Sequence, residues 1–160
     1  MKRVAIQGVL DPVDILTNHR LLDALTRAGT DLLMACGGKG LCATCHVYVT
    51  AGSEQLSPPT PREQMSLRLL NDRRPNSRLA CQAKVRSDGV TVALPRGTYM
   101  TATQELEVLI GRRAEDRILH PVDGRVLIEA GKIITRTRLR ELMQVDVDVA
   151  EMKARSLTIR

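Results

Sequence analysis

Four cysteines set the chemistry open to this chain. Three of them fall within ten residues, in the run CGGKGLCATCH that ends at His46, and the fourth, Cys81, follows Cys45 after thirty-five intervening residues. Thiolates at fixed spacing on a glycine-rich loop mark a soft-metal site. A [2Fe–2S] cluster fits that pattern, because each of its two tetrahedral irons takes two protein thiolates. Gly37, Gly38 and Gly40 let the backbone approach bulky sulfurs and aim amide hydrogens at them. The other readings fail on context. Cys42-Ala-Thr-Cys45-His46 satisfies the c-type haem motif letter for letter, yet it leaves two cysteines unused and has neither an export signal nor a haem-wrapping helical frame. Structural zinc favours two close cysteine pairs, and Cys81 has no neighbour. A Rieske centre needs two histidines in the ligand set, whereas only His46 lies near a cysteine and His19 and His120 are remote. Unrelated free cysteines, with Cys42 and Cys45 as a redox disulfide, leave the glycine loop without a reason.

The 160 residues suit one ordinary domain, or a small domain plus an appendage. Without Phe or Trp, and with only Tyr48 and Tyr99, the core must be aliphatic. The same lack removes the stacking platforms of single-stranded nucleic-acid binding, so nucleic acid is not the expected partner. The opening MKRVAIQGVLDP is not a secretory signal, and no apolar run reaches membrane-spanning length, so no membrane insertion is expected. The expectation is a cytoplasmic protein, in whose reducing surroundings cysteines bind metal more often than they pair. The net charge of +6 is uneven: residues 1–98 carry thirteen Lys/Arg against eight Asp/Glu, and residues 99–160 eleven against ten. Its densest patch is Arg62, Arg68, Arg73, Arg74 and Arg78, opposed by Glu63 and Asp72, which reads as a solvated face able to steer an acidic partner.

The elements that must position the cysteines are short. Residues 2–8 and 13–16 read as strands on either side of an Asp11-Pro12 turn. Asn18 then caps a helix with Leu21, Leu22, Leu25 and Ala28 on one face, closed by Gly29. Residues 46–50 form a strand after the loop. Thr60, Pro61 and Glu63 form a capping box for a helix over 61–70 that turns Met65, Leu69 and Leu70 inward and its arginines outward. After an Arg74-Pro75-Asn76 turn come a strand over 79–85, a hairpin signal at Asp88-Gly89 and a last strand over 90–94. Beyond Gly97, Leu106, Val108, Leu109 and Ile110 fit strand or helix. A turn at 122–124 precedes a strand over 125–129, Thr135 or Thr137 caps a helix with Leu139, Leu142 and Met143, and residues 152–159 read as a strand.

With Cys36-x5-Cys42-x2-Cys45, His46 and Arg78-Leu79-Ala80-Cys81-Gln82 in view, residues 1–95 resemble the [2Fe–2S] ferredoxins of the adrenodoxin type. The resemblance implies an α+β, β-grasp ferredoxin-like [2Fe–2S] domain, with the cluster near the surface and Cys36, Cys42, Cys45 and Cys81 as its ligands. It implies that His46 ties the loop to the body of the fold and does not bind iron. It also implies a low-potential one-electron carrier, an electron-transport protein and not an enzyme, passing electrons between a reductase and an acceptor. Members of that family usually present an acidic helix between the third and fourth cysteines. Arginines stand there in this chain, so the expected redox partners carry an acidic docking face. A second reading of the arginines is that they offset the charge of the anionic cluster.

The expected division is a ferredoxin domain over residues 1–96 and a small C-terminal α/β unit over 97–160 that binds a partner or pairs protomers as a homo-oligomer. Residues 123–135 and 147–159 are faintly similar to a stretch of the bacterial RNA polymerase largest subunit, which implies a shared small fold and no transcriptional role. The rival reading is an iron–sulfur redox sensor whose C-terminal unit binds a partner. No nucleophile–base pair, paired carboxylates or phosphate loop is evident, and Gly37-Gly38-Lys39-Gly40 lacks the Walker spacing.

Overall fold

A computed structural model describes residues 1–30 and 32–159. Asp31 and Arg160, which fall inside the two expected units, lie outside the described residues. Strand β1 (Lys2–Ile6) turns into β2 (Val13–Ile15) and pairs with it antiparallel, Arg3 opposite Asp14. Helix α1 (Leu21–Arg27) follows, and then the cysteine loop leads into β3 (His46–Ala51). Helix α2 (Pro61–Leu69), β4 (Ser77–Leu79) and β5 (Val90–Ala93) complete a five-stranded sheet in the order β2-β1-β5-β3-β4. Its centre, β5, runs parallel to β1 and antiparallel to β3, the mixed sheet expected of an α+β fold. Leu21, Leu22, Ala24 and Leu25 of α1 pack on Val4, Ile15, Val47, Val90 and Val92 to form an aliphatic first core.

A second sheet, β6-β7-β8, is built from Thr98–Tyr99, Ile118–Leu119 and Val126–Ile128. Helices α3 (Gln104–Glu107), α4 (Arg136–Glu141) and α5 (Met143–Leu157) surround it. Met100, Leu106, Leu127, Ile134, Leu142, Val149 and Met152 form a second core, and Cys36, Leu41 and Cys42 of the cysteine loop pack into it. Among the described residues no helix is long and apolar enough to cross a membrane.

Several local expectations are corrected. Asn18 does not cap α1. It sits at φ 66°, and the helix starts after Arg20, whose amide donates to Asp23 Oδ2 at 3.1 Å. Gly29 closes the helix as expected, at φ 75° with its amide on the Thr26 carbonyl. Helix α2 turns Glu63, Leu67 and Leu70 inward, at spacings of four and three residues, which leaves Met65 and Leu69 more than 60 % exposed. The strand expected over 79–85 breaks at Leu79, because the Ala80 amide donates to the Cys45 carbonyl at 3.0 Å and the chain curls through a turn that presents Cys81. Asp88-Gly89 joins no hairpin, since β5 pairs with β1 and β3 and not with β4. Asp88 instead accepts the Arg3 amide at 2.7 Å. The strand expected over 152–159 is helical through Leu157, because Val145, Val149 and Met152 bury one face of α5.

Candidate metal centre

The loop between Cys36 and Cys45 holds its shape through left-handed glycines. Gly37, Gly38 and Gly40 have φ of 67°, 78° and 75°, a region that L side chains enter only with strain. At two of them a side chain would also crowd its neighbours. A Cβ on Gly40 would lie 2.9 Å from Gln82 Cδ, and one on Gly38 would lie 3.1 Å from Arg20 Nη1 and 3.9 Å from Cys81 Cβ. The loop is thus pressed against the turn that carries the distant cysteine. Gln82 fastens the contact, its Nε2 donating to the Gly38 carbonyl at 3.3 Å, and the Ser66 hydroxyl of α2 holds the Gly40 carbonyl.

All four thiols are buried, at 1–3 % exposure, and they sort into two pairs. Cys36 is drawn down to about 5 by the hydrogen bond from Cys42, opposed by burial and helped by the amides of Leu41, Lys39 and Gly38. Cys42 is pushed far up by the same contact and by burial, while the Thr44 hydroxyl lies 3.0 Å from its sulfur. Cys45 and Cys81 repeat the arrangement, with Cys45 raised by its contact with Cys81 and by burial, and Cys81 lowered by the hydrogen bond from Cys45. Thiols must lose their protons to bind a metal, so loading this donor set would release them. The pairs belong to different cores. Cys45 and Cys81 lie in the first, Cys36 and Cys42 in the second.

This donor set fits a binuclear centre. Among the described residues no group of three or more His, Cys, Asp or Glu side chains is placed to hold a single metal ion. Two thiols on each side, with backbone amides aimed at the sulfurs, match the two-per-iron demand of a [2Fe–2S] rhomb. His46 is no haem ligand. Its ring is buried, Nε2 lies 2.8 Å from Ser77 Oγ, and the ring packs edge-on against Tyr48 at 4.7 Å. It ties β3 to β4 beside Cys45, where the resemblance implied a tie between the loop and the body of the fold.

The arginine patch is smaller than its sequence suggested. Arg78 is buried and forms a bidentate ion pair with fully buried Glu63, Nε to Oε1 at 2.8 Å and Nη2 to Oε2 at 3.2 Å. Glu63 also accepts the Leu79 amide at 2.9 Å, so its carboxylate locks α2 to the strand that precedes Cys81. Thr60 does cap the helix by accepting the Glu63 amide, but the Glu63 side chain serves the core and not the cap. Arg74 lies over the Tyr48 ring at 4.2 Å. That leaves Arg62, Arg68 and Arg73 pointing outward, with Arg62 at the loop, 3.5 Å from the Lys39 carbonyl.

Sequence reasoning also missed His120, which is 1 % exposed. Its Nδ1 accepts the Val122 amide at 3.0 Å, so Nε2 carries the proton and donates to Asp148 Oδ2 at 2.9 Å. This pins β7 to α5. The neighbouring Pro121 carbonyl accepts the Ala43 amide at 2.9 Å, inside the cysteine loop.

The profile of the 2Fe-2S iron-sulfur cluster binding domain matches residues 5–86. Ferredoxin CarAc of a Sphingomonas species is 41 % identical over 80 residues, which cover 48 % of this chain and 73 % of the relative. The 2Fe-2S ferredoxin-5 of Aquifex aeolicus is 32 % identical over 96 residues, covering 59 % of this chain and all of that one. Rhodocoxin of Rhodococcus erythropolis is 37 % identical over 93 residues, covering 55 % and 87 %. Among solved structures, the ISC-like [2Fe–2S] ferredoxin of Pseudomonas putida superposes with a TM-score of 0.54 at 25 % identity, covering 59 % of this chain and 93 % of its own. The chain belongs to the 2Fe-2S iron–sulfur cluster binding domain family, as an electron-transferring ferredoxin of the adrenodoxin type that carries a [2Fe–2S] cluster.

Proposed function

We propose that Cys36 and Cys42 bind one iron of the cluster and Cys45 and Cys81 the other, and that the chain passes single electrons from a reductase to an acceptor protein in a reducing compartment such as the cytoplasm. The observation that carries this reading is the burial of four thiols at 1–3 % exposure, divided between two cores, Cys45 and Cys81 in the first and Cys36 and Cys42 in the second. Bound there, the cluster supplies a one-electron ferric–ferrous couple. The protein's part is to hold the sulfurs still. Left-handed glycines, the Gln82 clamp and the Glu63–Arg78 lock fix the loop against the Cys81 turn, so little reorganises when charge arrives. Amides of Gly38, Lys39 and Leu41 on Cys36, and of Gly40 on Cys81, stabilise thiolate charge without bringing a titrating side chain into the site. Arg62, Arg68 and Arg73 offer a basic surface near the loop, complementary to an acidic face on a partner.

Electron paramagnetic resonance of the dithionite-reduced protein tests the proposal. A brown protein with a spin-½ signal only after reduction is expected, and a colourless, zinc-loaded protein would sink it.

A further inference from the structure

A simple carrier has no need of residues 97–160, yet here they reach into the cysteine loop. Half of the donor set, Cys36 and Cys42, is buried in the second core beside Met100, Leu127 and Met152. Four hydrogen bonds clasp the two parts. The Ser156 hydroxyl of α5 donates to the Cys36 carbonyl at 2.9 Å, and Lys39 Nζ donates to the Ile159 carbonyl at 2.6 Å. The Ala43 amide donates to the Pro121 carbonyl at 2.9 Å, and the Asn71 amide, just past α2, to the Asp123 carbonyl at 2.8 Å. Gly124 completes the fit: a Cβ placed there would lie 3.6 Å from the Ala43 Cβ. The clasp thus touches the carbonyl of one proposed ligand, the loop between the two ligands of its pair, and the residue after the second.

On the other side the loop is bare. Gly37, Arg20 and Met34 are exposed, Gly38 and Gln82 are half-exposed, and Gly38 and Gln82 border Cys81 directly.

We propose that residues 97–160 form an integral wall of the metal centre, which shields the Cys36/Cys42 pair and leaves the strip of Gly37, Gly38, Gln82 and Arg20, beside Cys81, as the side where redox partners exchange electrons. This rests on the reading that the four cysteines hold the cluster. The loop is basic where it meets the wall, through Lys39, and Arg20, 3.5 Å from Asp23 Oδ1 and 45 % exposed, puts a guanidinium on the open strip, so the favoured partner there is an acidic one. Ser156 and Lys39 are positioning residues: they act on the loop and not on an electron.

The test uses full-length, cluster-loaded protein. Ser156→Ala should keep the brown colour but speed hydrogen exchange of the peptide spanning residues 34–44 about fivefold, the effect of losing one hydrogen bond of ordinary strength. Cluster loss to excess EDTA should quicken by a similar factor, Ser156→Thr should restore both rates, and exchange in β1 and β5 should not move. Unchanged rates in Ser156→Ala and in the double variant with Lys39→Met would overturn the wall. For the open side the probe is ferricyanide, a small trianion that takes one electron from the reduced protein and becomes ferrocyanide. Arg20→Glu should slow that oxidation severalfold at low salt, and Arg140→Glu, on the exposed side of α4, should leave it unchanged. Equal or opposite effects would overturn the assigned side. A colourless wild-type protein would instead remove the ligand reading itself, so the two failures are told apart.

Discussion

The two thiol pairs sit in two differently made regions. Around Cys45 and Cys81 the protein is a five-stranded sheet crossed by a helix, with strands of three to six residues and an aliphatic core. Around Cys36 and Cys42 it is three helices on a sheet whose strands have two or three residues. Ladders that short are marginal alone, so the second region takes its stability from helix packing and from what it packs against. Each region also buries a charged or titratable polar lock. In the first, Glu63 and Arg78 tie α2 to β4; in the second, His120 and Asp148 tie β7 to α5. The contrast teaches that the proposed centre spans a frame of longer strands and a dependent part of shorter ladders. The frame sets where the loop lies, and the dependent part decides how tightly half of it closes.

The largest expected effect treats the pairs alike. Cys81→Ser and Cys42→Ser each strip one thiolate from one pair, and both should abolish stable cluster assembly, read from the visible spectrum after reconstitution. A normal spectrum in either variant removes that residue from the site and breaks the symmetry drawn here. Next comes the first region's lock. Glu63→Gln leaves the Arg78 charge buried without its partner, and urea unfolding should show a loss of about 3–5 kcal/mol. A loss below 1 kcal/mol would mean that the pair is dispensable.

Core truncations then separate the two regions. Leu25→Ala and Met152→Ala should each cost about 2–5 kcal/mol locally. Only Met152→Ala should raise alkylation of Cys36 and Cys42 relative to Cys45 and Cys81 in protein freed of iron. Equal labelling of all four would show that one core, not two, surrounds the thiols. The second lock is weaker than the first because Asp148 is partly solvated, so Asp148→Asn should lower stability by about 1–2 kcal/mol, seen as a shifted urea midpoint. The smallest effect concerns the surface. Arg62→Glu with Arg68→Glu should leave folding within about 0.5 kcal/mol of the original and reduce only the salt dependence of electron transfer to an acidic partner.

Much of the first region could be read from residue order. The cysteine spacing and glycines pointed to the binuclear centre, strand and helix signals placed β1, β5 and α1, and the mixed sheet was implied by the family resemblance alone. The misses share one physical origin, since each depended on a contact distant in sequence. Glu63 three residues after Thr60 looks the same whether its carboxylate caps a helix or meets an arginine fifteen residues on. Arg78 reads as surface charge until that partner is known. Residues 152–159 read as a strand by themselves, yet Val145, Val149 and Met152 mark one buried helical face that carries the helix through Leu157. That Cys36 and Cys42 would share a core with residues 97–160 had no local signal at all, because backbone carbonyls and small residues make most of the joint.

The split of the pairs across two cores has a consequence for the order of synthesis. All four cysteines lie within the first 81 residues, and the wall is encoded after them. A chain leaving the ribosome can therefore fold its sheet and bring the Cys81 turn to the loop while the Cys36 side still faces solvent. Metal loading has an open doorway during that interval, and the doorway closes when α5 arrives.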